Sequence, residues 1–180
     1  MQLTSQQTLP VAQDVAWRSL NDIDLLRQSI PGCESITPTG ENEYEALVVA
    51  AVGPVKAKFK GRLRMSDLDP PNAYTIQFDG QGGAAGHGKG HAQVRLEPAG
   101  PQTTLLHYVV NASVGGKIAQ VGSRLVDMAA QKIANDFFQN FTAKLKERYA
   151  APTAEAPGPP PPQGLFAKLL AWLRRLARRT

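Results

Sequence analysis

The stretch EYEALVVAAVGPVKAKFKGRLRM, residues 43–65, decides how this chain folds. From Val55 to Met65 the residues alternate without a break. Lys56, Lys58, Lys60, Arg62 and Arg64 share one side, opposite Val55, Ala57, Phe59, Gly61, Leu63 and Met65. Period-two alternation over such a run predicts a β-strand with one face in water. Residues 43–52 repeat the pattern, with Glu43 and Glu45 facing away from Tyr44, Ala46, Val48, Ala50 and Val52. Only Gly53-Pro54 separates the two runs, so they form a tight hairpin. A two-residue loop sets Glu45 opposite Arg62, Glu43 opposite Arg64 and Val48 opposite Phe59, and the charged and apolar registers then agree. Proline is unusual at the second position of the turns that close such hairpins, which leaves a shifted register as the alternative.

Outward from the hairpin, further strands are expected at 74–79, about 85–97 and 103–114. Their inward sets are Tyr74, Ile76 and Phe78; Ala92, Val94 and Leu96; and Leu106, Tyr108, Val110 and Ala112. Residues 2–9 alternate weakly and make a first strand that Pro10 ends. A short helix then starts at Asp14, a good N-cap residue, and a second runs over roughly 22–29 and stops before Pro31-Gly32. Residues 117–149 contain no proline and one glycine, Gly122. Ile118, Gly122, Leu125, Ala129, Ile133, Phe137, Phe141 and Leu145 recur there at spacings of three and four. This predicts one uninterrupted helix, which can bury its stripe only across one face of a curved sheet. The expected fold is α+β: a helix-grip arrangement of a curved antiparallel sheet around a long C-terminal helix.

The chain has 180 residues, enough for one ordinary domain and a short appendage. The appendage is visible. Residues 150–164 contain Pro152, Pro157 and Pro159 to Pro162, a composition that favours an extended, semi-rigid spacer. The expected divisions are therefore a domain over 1–149, a linker over 150–164 and a separate helix over 165–180. Residues 1–164 are neutral, and the whole net charge of +5 comes from Lys168, Arg174, Arg175, Arg178 and Arg179. A neutral body argues against nucleic acid as a partner. The single cysteine, Cys33, excludes an intrachain disulfide and a cysteine zinc site. The N-terminus shows no signal-peptide pattern and no apolar run is long enough to span a bilayer as a helix, so a cytoplasmic protein is expected.

Candidate chemistry is sparse. His87 and His91 share a strand face with Lys89 and Arg95, and His107 also points outward, which suits a solvated surface better than a metal site. The glycine-rich GQGGAAGHGKG, residues 80–90, is followed by a strand where a phosphate cradle needs a helix N-terminus. Its glycines read as a bend in the sheet or as small residues that open a cavity mouth. Cys33 has no histidine close in sequence to activate it. The basic row 56–64 is a solvated outer face or, with Leu47, Val49 and Ala51 beside it, a docking face. The inward residues are apolar except for the tyrosines. They contain no carboxylate, lysine or histidine for acid–base catalysis. On composition alone they fit a solid core as well as a cavity.

Several separate blocks, IPGCESI (30–36), VGPVKAKFKG (52–61), MSDLDPP (65–71), GGAAGHGKGHAQVRL (82–96) and VGGKIAQVGSRLVDMAAQKIANDFF (114–138), resemble the carbon monoxide dehydrogenase G-subunit family of the START-related helix-grip superfamily. The similarity covers about residues 1–148. It implies a deep apolar cavity between sheet and helix, lined here by Tyr44, Val48, Phe59, Leu63, Tyr74, Ile76, Phe78, Val94, Leu96, Leu106, Tyr108, Val110, Leu125, Ala129, Ile133 and Phe137. It also implies a partner, a molybdenum hydroxylase of the carbon monoxide dehydrogenase type, whose electrons must reach a membrane quinone. The resemblance thus points to a carrier that holds a quinone as its ligand, with no covalent cofactor and no metal. The alternatives are an assembly or recruitment factor that binds no ligand, and a cyclase-like enzyme.

The last sixteen residues, LFAKLLAWLRRLARRT, form the sharpest feature independent of that resemblance. On a helix, Leu165, Phe166, Leu169, Leu170, Leu173 and Leu176 fall on one side with Trp172 at its edge. Lys168, Arg174, Arg175, Arg178 and Arg179 fall on the other. At ~24 Å the helix is too short to cross a bilayer. It suits an anchor lying in the interface of an anionic membrane, on the inner face of the cell membrane. A helix that docks on a partner, or one folded back on its own domain, is the rival reading. Removal of 165–180 is expected to abolish sedimentation with anionic vesicles and leave a soluble, folded domain. Salt should weaken the binding of the full chain without eliminating it, because leucine burial is not screened. Leu169→Glu with Leu173→Glu should do more damage than two arginine-to-glutamine changes.

Overall fold

The computed structural model describes residues 1–149; the expected linker and basic helix lie outside the described residues. Strand β1 (Gln2–Leu9) is followed by helices α1 (Gln13–Leu20) and α2 (Ile23–Ser29). Strands β2 (Cys33–Gly40), β3 (Glu43–Val52), β4 (Val55–Asp69), β5 (Ala73–Gln81), β6 (His87–Gly100) and β7 (Thr103–Gly115) come next. Helix α3 (Lys117–Gln120) and the long helix α4 (Ser123–Tyr149) end the domain. The strands make one antiparallel sheet in the order β1-β7-β6-β5-β4-β3-β2. From β2 to β7 each strand pairs with the next in sequence, and β1 closes against β7, with Gln2 opposite Asn111 and Leu9 opposite Thr104. This is the helix-grip fold.

The β3–β4 hairpin has the register of a two-residue loop: Glu43 faces Arg64, Glu45 faces Arg62 and Val48 faces Phe59. The ion pairs are partly diagonal. Glu43 pairs with Arg64 at 3.7 Å, whereas Glu45 takes Lys60 at 3.1 Å in place of Arg62. Four local expectations need correction. Strand β2 has no counterpart in the periodicity, because Pro38 and two register irregularities break its alternation, as befits an edge strand. Helix α1 begins one residue before Asp14. Ala12 is its N-cap, and Asp14 sits in the first turn, bonded to Arg18 at 2.8 Å. Strand β4 runs on to Asp69, four residues beyond the strict alternation.

The fourth correction matters most. The C-terminal helix is interrupted at Val121-Gly122, where Gly122 adopts φ 95°. That left-handed conformation suits glycine and ends α3 before α4 begins. Within α4 the expected stripe drifts, because each of its steps of four residues overshoots a full turn by about 40°. Val126 and Phe138 are buried, while Leu125 and Ile133 are 41% and 38% exposed. Ile118 is buried as expected, and at the C-terminal end Phe141 and Leu145 are fully buried in one cluster with Leu9, Val11, Leu96 and Leu106.

Helix α2 is tied to that same half of α4. The Asn140 side-chain amide donates to the Ser29 carbonyl at 3.1 Å, and the Arg148 guanidinium donates to Asp22 at 2.6 Å. Asp22 also caps α2 by accepting from the Leu25 N–H at 3.0 Å. The Leu25 hydrogen bond, and after it Arg148, hold the Asp22 carboxyl below the usual carboxylate range. A depressed pKa means that Asp22 stabilises the fold above the unfolded value of ~3.9 and stops doing so as pH falls through the lower folded value. Asp22→Asn should therefore lower stability at neutral pH and flatten the acid limb of a urea-midpoint profile. Phe141→Ala should cost about 3–5 kcal/mol in urea unfolding, and Leu125→Ala less than about 0.5 kcal/mol.

Candidate functional site

Beside the clamped end of α4 the protein is hollow. A cavity of about 480 Å³ lies between the inner face of the sheet, α2 and the middle of α4. Tyr44, Leu63, Tyr74, Ile76, Val94, Leu106, Tyr108 and Val110 line it from the sheet, and Ile133 and Phe137 from α4. Alternation along the strands places all the sheet residues on one side, and the antiparallel register stacks them into rows across the sheet. Among the described residues, Asn21 and the three tyrosines supply the only polar side chains in the lining, and no side chain there carries a charge at neutral pH.

Two tyrosines are placed unusually. The Tyr108 ring stacks on Phe138 with centroids 5.2 Å apart, and its hydroxyl is buried with no hydrogen-bond partner among the described residues. A buried hydroxyl without a partner is costly, of order 1–3 kcal/mol. Tyr74 meets Trp17 edge-on at 5.4 Å, and burial pushes its phenol far above the ordinary tyrosine range.

Six residues assigned to the lining lie elsewhere. Leu96 is 2% exposed and belongs to the packed core. The Phe59 ring covers Gly82, where an added Cβ would sit 2.3 Å away, and the Phe78 ring lies over Gly90. Val48 is the cross-strand neighbour of Phe59 on the half-buried part of the hairpin. Leu125 reaches toward the hairpin tip at Gly53, and Ala129 lies outside the lining; Ala130 and Ala134 line the cavity from that helix. The α2 side was missed: Ile23, Leu26 and Ile30, with Ile36 of β2, complete the lining. Their spacing of three and four was a readable signal of an apolar helix face. The residues assigned to membrane binding, 165–179, lie outside the described residues.

The remaining candidates sit apart from the cavity. His87 and His91 are exposed on the outer face of β6. Cys33 is half-buried at the start of β2, where burial raises its thiol pKa and leaves less of the reactive thiolate. A larger hollow of about 1230 Å³ lies across the outer face, flanked by Glu43, Arg64, Asp79 and Lys89. It is open and charged, so water competes for every contact there, and the smaller apolar cavity is the better ligand site.

Residues 6–146 match the CoxG family, described as the G subunit of carbon monoxide dehydrogenase. The chain belongs to that family. Among solved structures, a conserved protein from Geobacillus kaustophilus is 28% identical with a TM-score of 0.77, over 82% of this chain and 96% of that one. A START superfamily protein from Mycobacterium smegmatis is 12% identical with a TM-score of 0.64, over 82% and 98%. The Zhui aromatase/cyclase from Streptomyces sp. R1128 is 13% identical with a TM-score of 0.60, over 82% and 94%. The last two likenesses show the fold alone. Comparison with curated proteins gave no significant match.

The lining makes a clear distinction between two alanines on this CoxG-family helix. Ala134→Phe projects a ring into the cavity and should lower the affinity for a fluorescent apolar probe at least tenfold without lowering the unfolding temperature. Ala129→Phe should leave probe binding within twofold of the parent.

Proposed function

We propose that this CoxG-family protein is a non-enzymatic carrier. It takes a lipophilic quinone into the apolar cavity and presents it to a molybdenum hydroxylase of the carbon monoxide dehydrogenase type. One observation carries the reading: a cavity of about 480 Å³ whose lining, among the described residues, holds no carboxylate, lysine or histidine. Such a lining favours a neutral, largely apolar ligand and offers no acid–base pair to transform it. Hydroxylation of a substrate releases two electrons and two protons, which convert a quinone to a quinol. An isoprenoid quinone lives in the bilayer, so a soluble hydroxylase needs a vehicle for it.

The family description supports the enzyme partner, and the basic, leucine-rich sequence of residues 165–180 supports a membrane as the place. A proline-rich spacer of fifteen residues reaches roughly 45 Å when extended. That is enough for a domain anchored through residues 165–180 at an anionic membrane, on the cytoplasmic face, to move between bilayer and enzyme. A cyclase occurs among the structures with this fold, but the uncharged lining argues against that chemistry here.

The test is native mass spectrometry of the full-length protein after incubation with membrane extract, paired with quinone reduction by the hydroxylase. A bound quinone and carrier-dependent reduction that Ala134→Phe abolishes are expected. If Ala134→Phe still supports reduction while binding no quinone, the protein recruits the enzyme and carries nothing.

A further inference from the structure

A strand with one face in water alternates apolar and polar residues, and β4 does so with a cation at every second position from Lys56 to Arg64. Its partner β3 does not. After Glu45 the chain reads Ala-Leu-Val-Val-Ala-Ala-Val-Gly-Pro-Val, residues 46–55, without one polar side chain. Leu47, Val49 and Ala51 on the outer face stand opposite Lys60, Lys58 and Lys56. The hairpin tip is therefore apolar on both faces. Ala51, Gly53 and Pro54 at its end are exposed, and an apolar end left in water calls for a partner.

Helix α4 sets a second apolar surface beside the first. Leu125, Met128 and Ile133 are 41%, 60% and 38% exposed, all within nine residues of one helix. Ile133 also lines the cavity, and the other lining residues of α4, Ala130, Ala134, Phe137 and Phe138, are less exposed than it is. Ile133 therefore marks the rim. Leu125 lies two turns earlier, about 12 Å along the axis and turned about 80° round it. Its side chain ends at the hairpin, where a Cβ added to Gly53 would meet Leu125 Cδ1 at 3.4 Å. Exposed apolar side chains thus lead from the rim of the cavity along α4 to the tip of the β3–β4 hairpin.

The charges at the edge of this patch are positive. Lys58 is paired with Glu34 and Lys132 with Asp136, but Lys56 and Arg124 are exposed and make no ion pair among the described residues. The acid nearest in sequence, Asp127, falls about 160° round the helix from Leu125. An apolar tip bordered by free cations is complementary to an anionic lipid surface, with its apolar interior and its layer of phosphates.

We infer that the β3–β4 tip and the exposed edge of α4 rest on an anionic lipid surface, with the rim of the cavity turned toward it. Pro54 and Met128 enter the headgroup region, and Lys56 and Arg124 meet lipid phosphates. A ligand then passes between bilayer and cavity along apolar side chains. Only that passage rests on the carrier reading; the contact belongs to the folded domain and is additional to any made by residues 165–180.

The test uses the full-length chain with Cys33→Ser, labelled in turn with one environment-sensitive fluorophore through Pro54→Cys, Met128→Cys or Gln93→Cys. Gln93 is exposed on the outer face of β6 and serves as the control. On phosphatidylglycerol–phosphatidylcholine vesicles carrying a doxyl-lipid quencher, the labels at 54 and 128 should shift to the blue and lose about half their emission. The label at 93 should be unchanged. Leu125→Glu with Met128→Glu, two exposed positions, should slow uptake of an isoprenoid quinone from these vesicles at least fivefold without lowering the unfolding temperature. A chain that sediments with vesicles while the labels at 54 and 128 stay unquenched overturns the inference, and so does one that does not sediment. Labels that respond to the hydroxylase and not to vesicles give this face to the enzyme and overturn it too. Quenched labels on a chain that takes up no quinone leave the docking in place and overturn the carrier reading alone.

Discussion

Everything in this domain depends on the burial of one end of one helix. Phe141 and Leu145 fill the space between Leu9, Leu96 and Leu106, and no water reaches them. Asn140 and Arg148 fasten α2 to the same half of α4 through Ser29 and Asp22. With the helix fixed at that end, its middle can span a gap above the sheet. A helix packed along its whole length would bury more apolar surface and leave no cavity. The fold thus keeps its vacancy and its packed core under successive segments of a single element.

The same division explains why the lining is so uniform in character. Any charge placed inside would have to be desolvated without a partner, at a cost of several kcal/mol. The charged residues of the sheet accordingly sit on the other side, where Lys58, Lys60 and Arg64 pair with Glu34, Glu45 and Glu43 in solvent. Strand alternation separates these two environments by the thickness of one sheet. The polar side-chain groups in the lining are tyrosine hydroxyls and one amide, that of Asn21, which donates to the Trp17 carbonyl at 2.8 Å.

The strands from Glu43 to Gly115 could be read from sequence because alternation is a local property, and the charged register of the β3–β4 hairpin fixed its pairing. The helix stripe was less readable. Steps of four residues drift round a helix of 3.6 residues per turn, so a stripe that is right at Ile133 and Phe137 points aside at Leu125 and Ala129, and Ala130 and Ala134 line the cavity instead. Strand β2 escaped because Pro38 and its bulges erase the signal at an edge. Phe59 and Phe78 point inward as expected yet cover glycines instead of the cavity. Inwardness follows from parity along a strand. Whether an inward side chain meets empty space or a neighbour depends on three-dimensional curvature.

The pairing of β1 with β7 joins residues about a hundred positions apart, and α4 closes on both after them. Such distant partners make loop closure the slow part of assembly, as expected for a topology rich in non-local contacts. On the ribosome, the N-terminal strand must wait beside an open sheet until nearly the whole domain has emerged. The container is therefore finished last, and a nascent chain has no enclosed space in which to trap a lipid before its final helix is made.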